Sequence, residues 1–349
     1  MIRAAFATRA AWPRSAEALA HQVAEAHGRA DAPHAWVPYG GPALIDALRS
    51  KATGPVAAPA WGHAAYGPLL TDARWMPPAR RRLDPGPSEV AAALADGASA
   101  VLLAPVGGDV VGLREVADLC RRKGVPLALD VRFAAGGRVL DGPPGALGDL
   151  ALVSVDGEPG PAPCPGAVLL GAAPPSPAPG TGAPVALLRD ALRVDPRLRR
   201  ILGPPQRDTS LAPQEGAAPP WAFAAAAARL QQSAHRASQR ARHAGVLRKN
   251  LSHVEGVLLP DEPRGAQSAG GALGLRVQGR DAVAERLAAA GIPTLARGGW
   301  LAPEGARDTA SEALAAEALF LPLLPFYRPR DLDHLGEQLR RAALASEAV

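Results

Sequence analysis

Apolar positions in this chain recur with two periods, helical and extended, and segments of the two kinds follow one another in turn. Residues 15–27 (SAEALAHQVAEAH) set Ala, Leu and Val on one face at helical spacing, with Ser15 or a neighbour as N-cap. Residues 39–50 (YGGPALIDALRS) place two glycines and a proline ahead of another helical pattern. Pro42 suits a first helical turn, where an amide hydrogen has no partner within the helix. Residues 88–95 and 112–123 predict two further helices, the second with Leu113, Val116, Ala117 and Cys120 on one side. Between and after them lie short apolar runs with strand character: Val56–Pro59, Ala100–Ala104, Pro126–Asp130, Leu150–Val155 and Ala167–Leu170. Strand and helix alternating at this spacing predict a mostly parallel sheet with helices on both faces.

The pattern then changes. Residues 172–184 (AAPPSPAPGTGAP) read as a Pro/Gly linker or surface loop, and residues 203–220 as a second irregular stretch. A long Ala-, Arg- and Gln-rich helix is expected from Trp221 to about Leu251. After it come 271–279, a helix around 281–290, the strand-like 291–296, the apolar 318–326 and a closing helix (RDLDHLGEQLRRAALA). The expected division is therefore 1–220 for a large α/β domain with an N-terminal helix. Residues 221–349 form the long connecting helix and a small C-terminal α+β domain. No internal repeat is visible.

Composition narrows the function classes. The 349 residues suffice for two core-bearing units. Hydrophobic residues are 48% but aromatics only 4%, so the core must be mostly Ala, Leu and Val. The formal charge of +5 is scattered, its longest basic run being Arg80-Arg81-Arg82, and no basic stripe interleaves with aromatics, which argues against a nucleic-acid partner. Cys120 and Cys164 are far apart and form no CxxC, so neither a disulfide framework nor a metal site is expected. No apolar run has the length of a membrane span. The acid-free, arginine-bearing N-terminus weakly resembles a transit peptide, but it has no secretory core with a cleavage signal, so a cytoplasmic location is expected. Lysine is scarce: Lys51, Lys123 and Lys249 are all there are.

Several local motifs in order carry a family resemblance. They are YGGPALIDAL, VAAPAWGHAA, the run AVLLAPVGGDVVGLREVADLCRRKGVPLALD, GALGDLALVSV, GAVLLG, HVEGVLLP and FLPLLPFYRPRDLDHLGEQL. As a series, over roughly residues 35–345, they resemble the sugar aminotransferases of the DegT/DnrJ/EryC1/StrS family, enzymes of fold type I that use pyridoxal phosphate. The resemblance implies a fold-type I aminotransferase-like α/β fold. It has a mostly parallel, seven-stranded-type sheet, helices on both faces and a smaller C-terminal α+β domain. It also implies pairing into dimers with the site at the interface.

Transamination makes definite demands on a protein. A lysine amine must form the imine, and a carboxylate must hold the pyridine nitrogen protonated. Amides at a helix N-terminus, helped by hydroxyls, must grip the phosphate, and a flat side chain must stack on the ring. By resemblance Asp130 is the carboxylate, at the end of a parallel strand where ligands gather in open α/β sheets; taken alone it reads equally as a strand-end aspartate capping a turn. Gly40-Gly41-Pro42 is the phosphate turn, with Gly41 where the family has threonine and Pro42 lacking an amide donor. His63 falls at the stacking position by counting from Pro59, with Trp61 as the second choice; a lone loop histidine is the plainer reading. Ser154 falls at the phosphate-contacting serine.

The decisive position departs from the family. The family reads serine, four residues, then lysine; here Ser154 is followed at that spacing by Pro159, inside GEPGPAPCPG. Proline has no primary amine and forms no imine. Asp156 and Glu158 add negative charge where a phosphate would lie, or are simply solvated loop acids. The stretch DTSLAPQEGAAPPWAF also lacks the Asn and Arg with which family members reach the neighbouring subunit's site.

No cofactor is therefore expected, or pyridoxal phosphate if any. The residues Gly40, Gly41, Trp61, His63, Asp130 and Ser154 stand as a vestigial site without a catalytic residue. The expected function is that of a catalytically inactive aminotransferase-like protein, a structural or regulatory partner. It would form a homodimer or pair with an active homologue, in sugar, polysaccharide or secondary-metabolite biosynthesis. Two alternatives stay open: an enzyme that binds pyridoxal or pyridoxamine phosphate or a nucleotide-sugar without an imine, and an ordinary transaminase whose lysine is one of the three elsewhere.

Overall fold

A computed structural model of the protein describes residues 15–61, 64–105, 110, 112–134, 136–140, 142–155, 166–174, 218, 220–261, 265–268, 270–292, 294, 309–324 and 327–346. The apolar runs of the first half become strands: β1 (His34–Val37), β2 (Val56–Pro59), β3 (Arg74–Met76), β4 (Ala100–Leu103), β5 (Leu127–Asp130), β6 (Arg138–Val139), β7 (Leu150–Val153) and β8 (Ala167–Leu170). All except β6 join one seven-stranded sheet in the order β1-β8-β7-β5-β4-β2-β3. Strands β3, β2, β4, β5 and β7 run parallel. Strand β8 is antiparallel to β7, and β1 is antiparallel to β8.

The inner strands are buried at every position, as expected of a sheet covered on both faces. Successive residues feed opposite cores. Leu127 and Leu129 point into one, with Leu19 and Val23 of helix α1 (Ala16–Ala26). Ala128 points into the other, with Leu44, Ile45 and Leu48 of helix α2 (Gly40–Arg49). Helices α3 (Pro87–Ala95) and α4 (Leu113–Lys123) cover the first face through Val90, Val116 and Cys120. Ser15 caps α1 as expected, its hydroxyl accepting from the Ala18 amide at 3.2 Å.

Helix α5 (Pro220–Leu251) leads to a second sheet. Here β9 (Val257–Leu258), β11 (Ala272–Val277) and β12 (Ala318–Pro322) form an antiparallel sheet of three strands in the order β12-β11-β9, while β10 (Ala266–Gln267) pairs instead with β6. Helices α6 (Arg280–Ala289), α7 (Thr309–Glu317) and α8 (Pro329–Ser346) complete this part. Leu247 and Leu251 of α5, Leu275 of β11 and Leu335 and Leu339 of α8 share its core. The first turns of α5 belong elsewhere: Ala222, Phe223, Ala226 and Ala227 pack into the core beneath the seven-stranded sheet.

Elements expected from the sequence appear within a few residues of their places, with one correction. Residues 291–296 read as strand-like; 293, 295 and 296 lie outside the described residues, and of the rest Gly291, left-handed at φ 76, follows the end of α6 while Ile292 and Thr294 belong to no strand. The Ile292 amide returns to the Leu287 carbonyl at 2.8 Å, and its side chain drops into the core. The apolar signal of Ile292 thus belongs to a helix terminus. Among the described residues, no helix is long and apolar enough to cross a membrane, and no group of three potential metal ligands occurs.

Candidate functional site

Because β1, β2, β5 and β7 point the same way, their C-terminal ends share one edge of the sheet. Four of the residues singled out from the sequence lie just beyond those ends: Gly40 after β1, Trp61 after β2, Asp130 at the end of β5 and Ser154 after β7. Open α/β sheets bind ligands at this edge. Helix α2 starts here, tight against the sheet: a Cβ on Gly40 would stand 2.6 Å from Leu152 Cδ2, and Leu152 is the register partner of Asp130. Gly41 is buried beside Gly40, and Pro42 contributes no amide. His63 and Pro159, with Asp156 and Glu158, lie outside the described residues.

Asp130 is buried, and its carboxylate is already fully bonded. Arg132 reaches back two residues to grip it in bidentate fashion, Nε donating to Oδ1 at 2.9 Å and Nη2 to Oδ2 at 2.8 Å. The Arg132 amide donates to Oδ1 at 3.3 Å, and the Tyr66 hydroxyl to Oδ2 at 2.8 Å. The pair is closed to solvent, with side chains only 4% and 1% exposed. Burial, and then the charge of Asp130, hold the Tyr66 phenol well above its usual range, so it remains a donor.

The other strand ends are tied into the same knot. The Ser154 hydroxyl donates to the Arg132 carbonyl, which fastens the end of β7 to the end of β5. Trp61 is buried, and its ring lies nearly parallel to Phe320 of β12, the centroids 6.1 Å apart at 12°. Phe133 and Leu83 pack into the same cluster. The side chain that was the second choice for stacking on a bound ring thus faces an internal aromatic. Gly136 then seats the loop after β5 against α5: it adopts φ 80, and a Cβ there would stand 2.5 Å from the Ser233 carbonyl oxygen.

Arg132, Tyr66 and Phe320 were not anticipated from the sequence. The signal for Arg132 was present: a single arginine inside the apolar run VPLALDVRFAA, two residues from the aspartate, demands a buried partner. Tyr66 lies 64 residues from Asp130 and carried no such mark.

The lysines are placed elsewhere. Lys51 follows the C-terminal end of α2, a helix of 10 residues and so roughly 15 Å long, whose other end faces the site. Lys123 ends α4 ahead of β5, at the opposite edge of the sheet, and Lys249 lies in the last turn of α5. All three are exposed.

Neither a protein-family model nor a curated protein matches the chain. Solved structures do. The aminotransferase TlmJ from Streptoalloteichus hindustanus is 22% identical, with a TM-score of 0.71 over 97% of this chain and 93% of that one. A DegT DnrJ EryC1 StrS aminotransferase from Brucella abortus is 19% identical, with a TM-score of 0.67 over 95% and 90%. DesV from S. venezuelae, solved in complex with a ketimine intermediate, is 19% identical, with a TM-score of 0.68 over 94% and 89%. Nearly the whole chain is therefore built on the fold of the DegT/DnrJ/EryC1/StrS-type sugar aminotransferases, an α/β architecture around a large, mostly parallel sheet.

Proposed function

We propose that this protein keeps the aminotransferase scaffold without its reaction and serves as a structural or regulatory partner. It would pair with itself or with an active homologue, in the cytoplasm, in a pathway that builds sugars, polysaccharides or secondary metabolites. The observation that carries the reading is the lack of a usable amine at the Asp130 edge. Position 159 is proline, and the lysines of the chain stand on other surfaces. A transaminase cannot dispense with that amine, because it forms the imine and then moves the proton.

Pyridoxal phosphate is the group the fold implies, and the residues present do not fit it. The carboxylate for its ring nitrogen is occupied by Arg132 and Tyr66, and the Trp61 ring packs on Phe320. Asp130 and Ser154 on neighbouring strand ends would favour the second reading, a coenzyme or nucleotide-sugar held without an imine. Both side chains, however, are bonded within the protein.

The test is the absorbance spectrum of the purified protein mixed with pyridoxal phosphate, before and after borohydride. No saturable, one-to-one imine band is expected; a stoichiometric borohydride-fixed adduct on one lysine overturns the reading, whereas slow, unsaturable labelling is the ordinary aldehyde chemistry of the three exposed lysines. Light scattering on the protein alone, and on the protein mixed with an intact homologue, reads the pairing.

A further inference from the structure

We infer that Arg132 is a built-in occupant of the pyridine-nitrogen site: its guanidinium takes the place on Asp130 that a coenzyme's ring N–H would need, so this edge of the sheet closes without a coenzyme. A carboxylate offers about four acceptor positions. In this protein four donors fill them: Arg132 Nε, Nη2 and amide, and the Tyr66 hydroxyl. A fifth donor arriving from a ligand must displace one of these.

Displacement is opposed by burial. Arg132 is 3% exposed, so expelling its side chain means re-hydrating a guanidinium or stranding it unpaired. Lysine could not replace it on equal terms, because only the planar fork of arginine meets both carboxylate oxygens at once. The same residue extends the closure to β7, through its carbonyl and the Ser154 hydroxyl. Arg132, Asp130, Tyr66 and Ser154 therefore join the ends of β5 and β7 to the 3-10 turn Ala64–Leu69 that follows β2, by protein bonds alone.

This inference deepens the reading above but does not depend on it. The missing amine concerns the imine, whereas Arg132 concerns whether a ring is held at all. Pyridoxamine phosphate separates the two, since it has no aldehyde and binds, where it binds, without lysine. The wild-type protein is melted with and without millimolar pyridoxamine phosphate; a ligand that binds only the folded state raises the midpoint by mass action. No shift is expected. A saturable shift overturns the inference while leaving the proposed function standing; a stoichiometric borohydride-fixed adduct with pyridoxal phosphate, without any shift from pyridoxamine phosphate, does the reverse.

A double-mutant cycle supplies the second readout. Arg132→Met strands the aspartate and should lower the ratio of folded to unfolded protein about a hundredfold to a thousandfold in urea titration. Asp130→Asn combined with Arg132→Met should recover about tenfold or more of that loss. Additive effects would overturn the pairing. If Arg132→Met does not fold, Arg132→Lys takes its place, with a smaller loss expected and with full stability as the contrary result.

Discussion

The two edges of the seven-stranded sheet are wired with the same chemistry for different ends. At the edge where β5 and β7 begin, Arg29 spans the turn before β7, donating to the carbonyls of Gly145 at 3.3 Å, Gly148 at 2.8 Å and Asp149 at 2.9 Å. The Asp149 carboxylate accepts from the Leu127 amide at 2.8 Å, which starts β5 beside β7. At the edge where those strands end, Arg132 meets Asp130 and Ser154 meets Arg132. The first edge is scaffolding, joining a loop to the starts of two strands. The second is where such folds leave polar groups open for a ligand, yet here, among the described residues, the Asp130 carboxylate is bonded as thoroughly as the groups of the first. The difference lies in the partner: backbone carbonyls on one side, a buried charge on the other. A carbonyl released from its arginine can turn to water. A buried carboxylate or guanidinium released from its partner cannot.

That contrast sets the order of effects expected from mutation. The largest comes from Asp130→Ala, which leaves the Arg132 guanidinium buried without its counter-charge; a loss of about 3–5 kcal/mol in urea denaturation is expected. A loss below about 1 kcal/mol would mean that the pair is not sealed as the geometry indicates. Arg29→Met at the other edge should cost less, about 1–3 kcal/mol, because the half-buried carbonyls it frees regain water. If it proved the costlier of the two, the comparison would be inverted.

The smallest effect concerns pH. His27, against the same turn, is held below its ordinary pKa, mainly by burial and in lesser part by the charge of Arg29, while a bond to the Val23 carbonyl works the other way. A neutral folded histidine and a freely titrating unfolded one mean that stability is present above the ordinary histidine value of 6.5 and is lost as pH falls below it. His243 in α5 is lowered in the same direction, again chiefly by burial. Melting curves through this range should therefore slope downward on the acid side. His27→Leu should flatten the slope in part, with the His243 share persisting. An unchanged slope would remove His27 from the account.

How much of this could be read in the sequence depended on length and locality. Strands β4, β5, β7 and β8 were legible because continuous apolar runs bounded by turns carry their own signal. Strand β1 was not, because HAWV is four residues wedged between Pro33 and Pro38. Strand β3 is three residues long with an exposed first position, and β6 with β10 joins two residue pairs distant in the chain. At the candidate site, position was legible and state was not. Asp130 could be placed at a strand end from local pattern, but its saturation depends on Tyr66, which only the folded sheet brings near. Trp61 was legible as a candidate ring, and its engagement by Phe320 was hidden for the same reason. The scarcity of lysine was legible by counting, three in all, since a residue count is a property of sequence.

Helix α5 has a consequence for where this polypeptide tolerates interruption. Its 32 residues make a rod of roughly 48 Å. One end is a plug in the floor of the seven-stranded layer, through Ala222 and Phe223, with Phe223 set edge-on to Trp36 at 5.5 Å. The other end is a wall of the three-stranded layer, through Leu247 and Leu251. A fragment ending just ahead of Pro220 would leave Trp36 facing water, and one beginning there would carry an apolar stub with nothing to plug. The two layers are thus riveted by a shared beam, and they should melt in concert rather than one after the other.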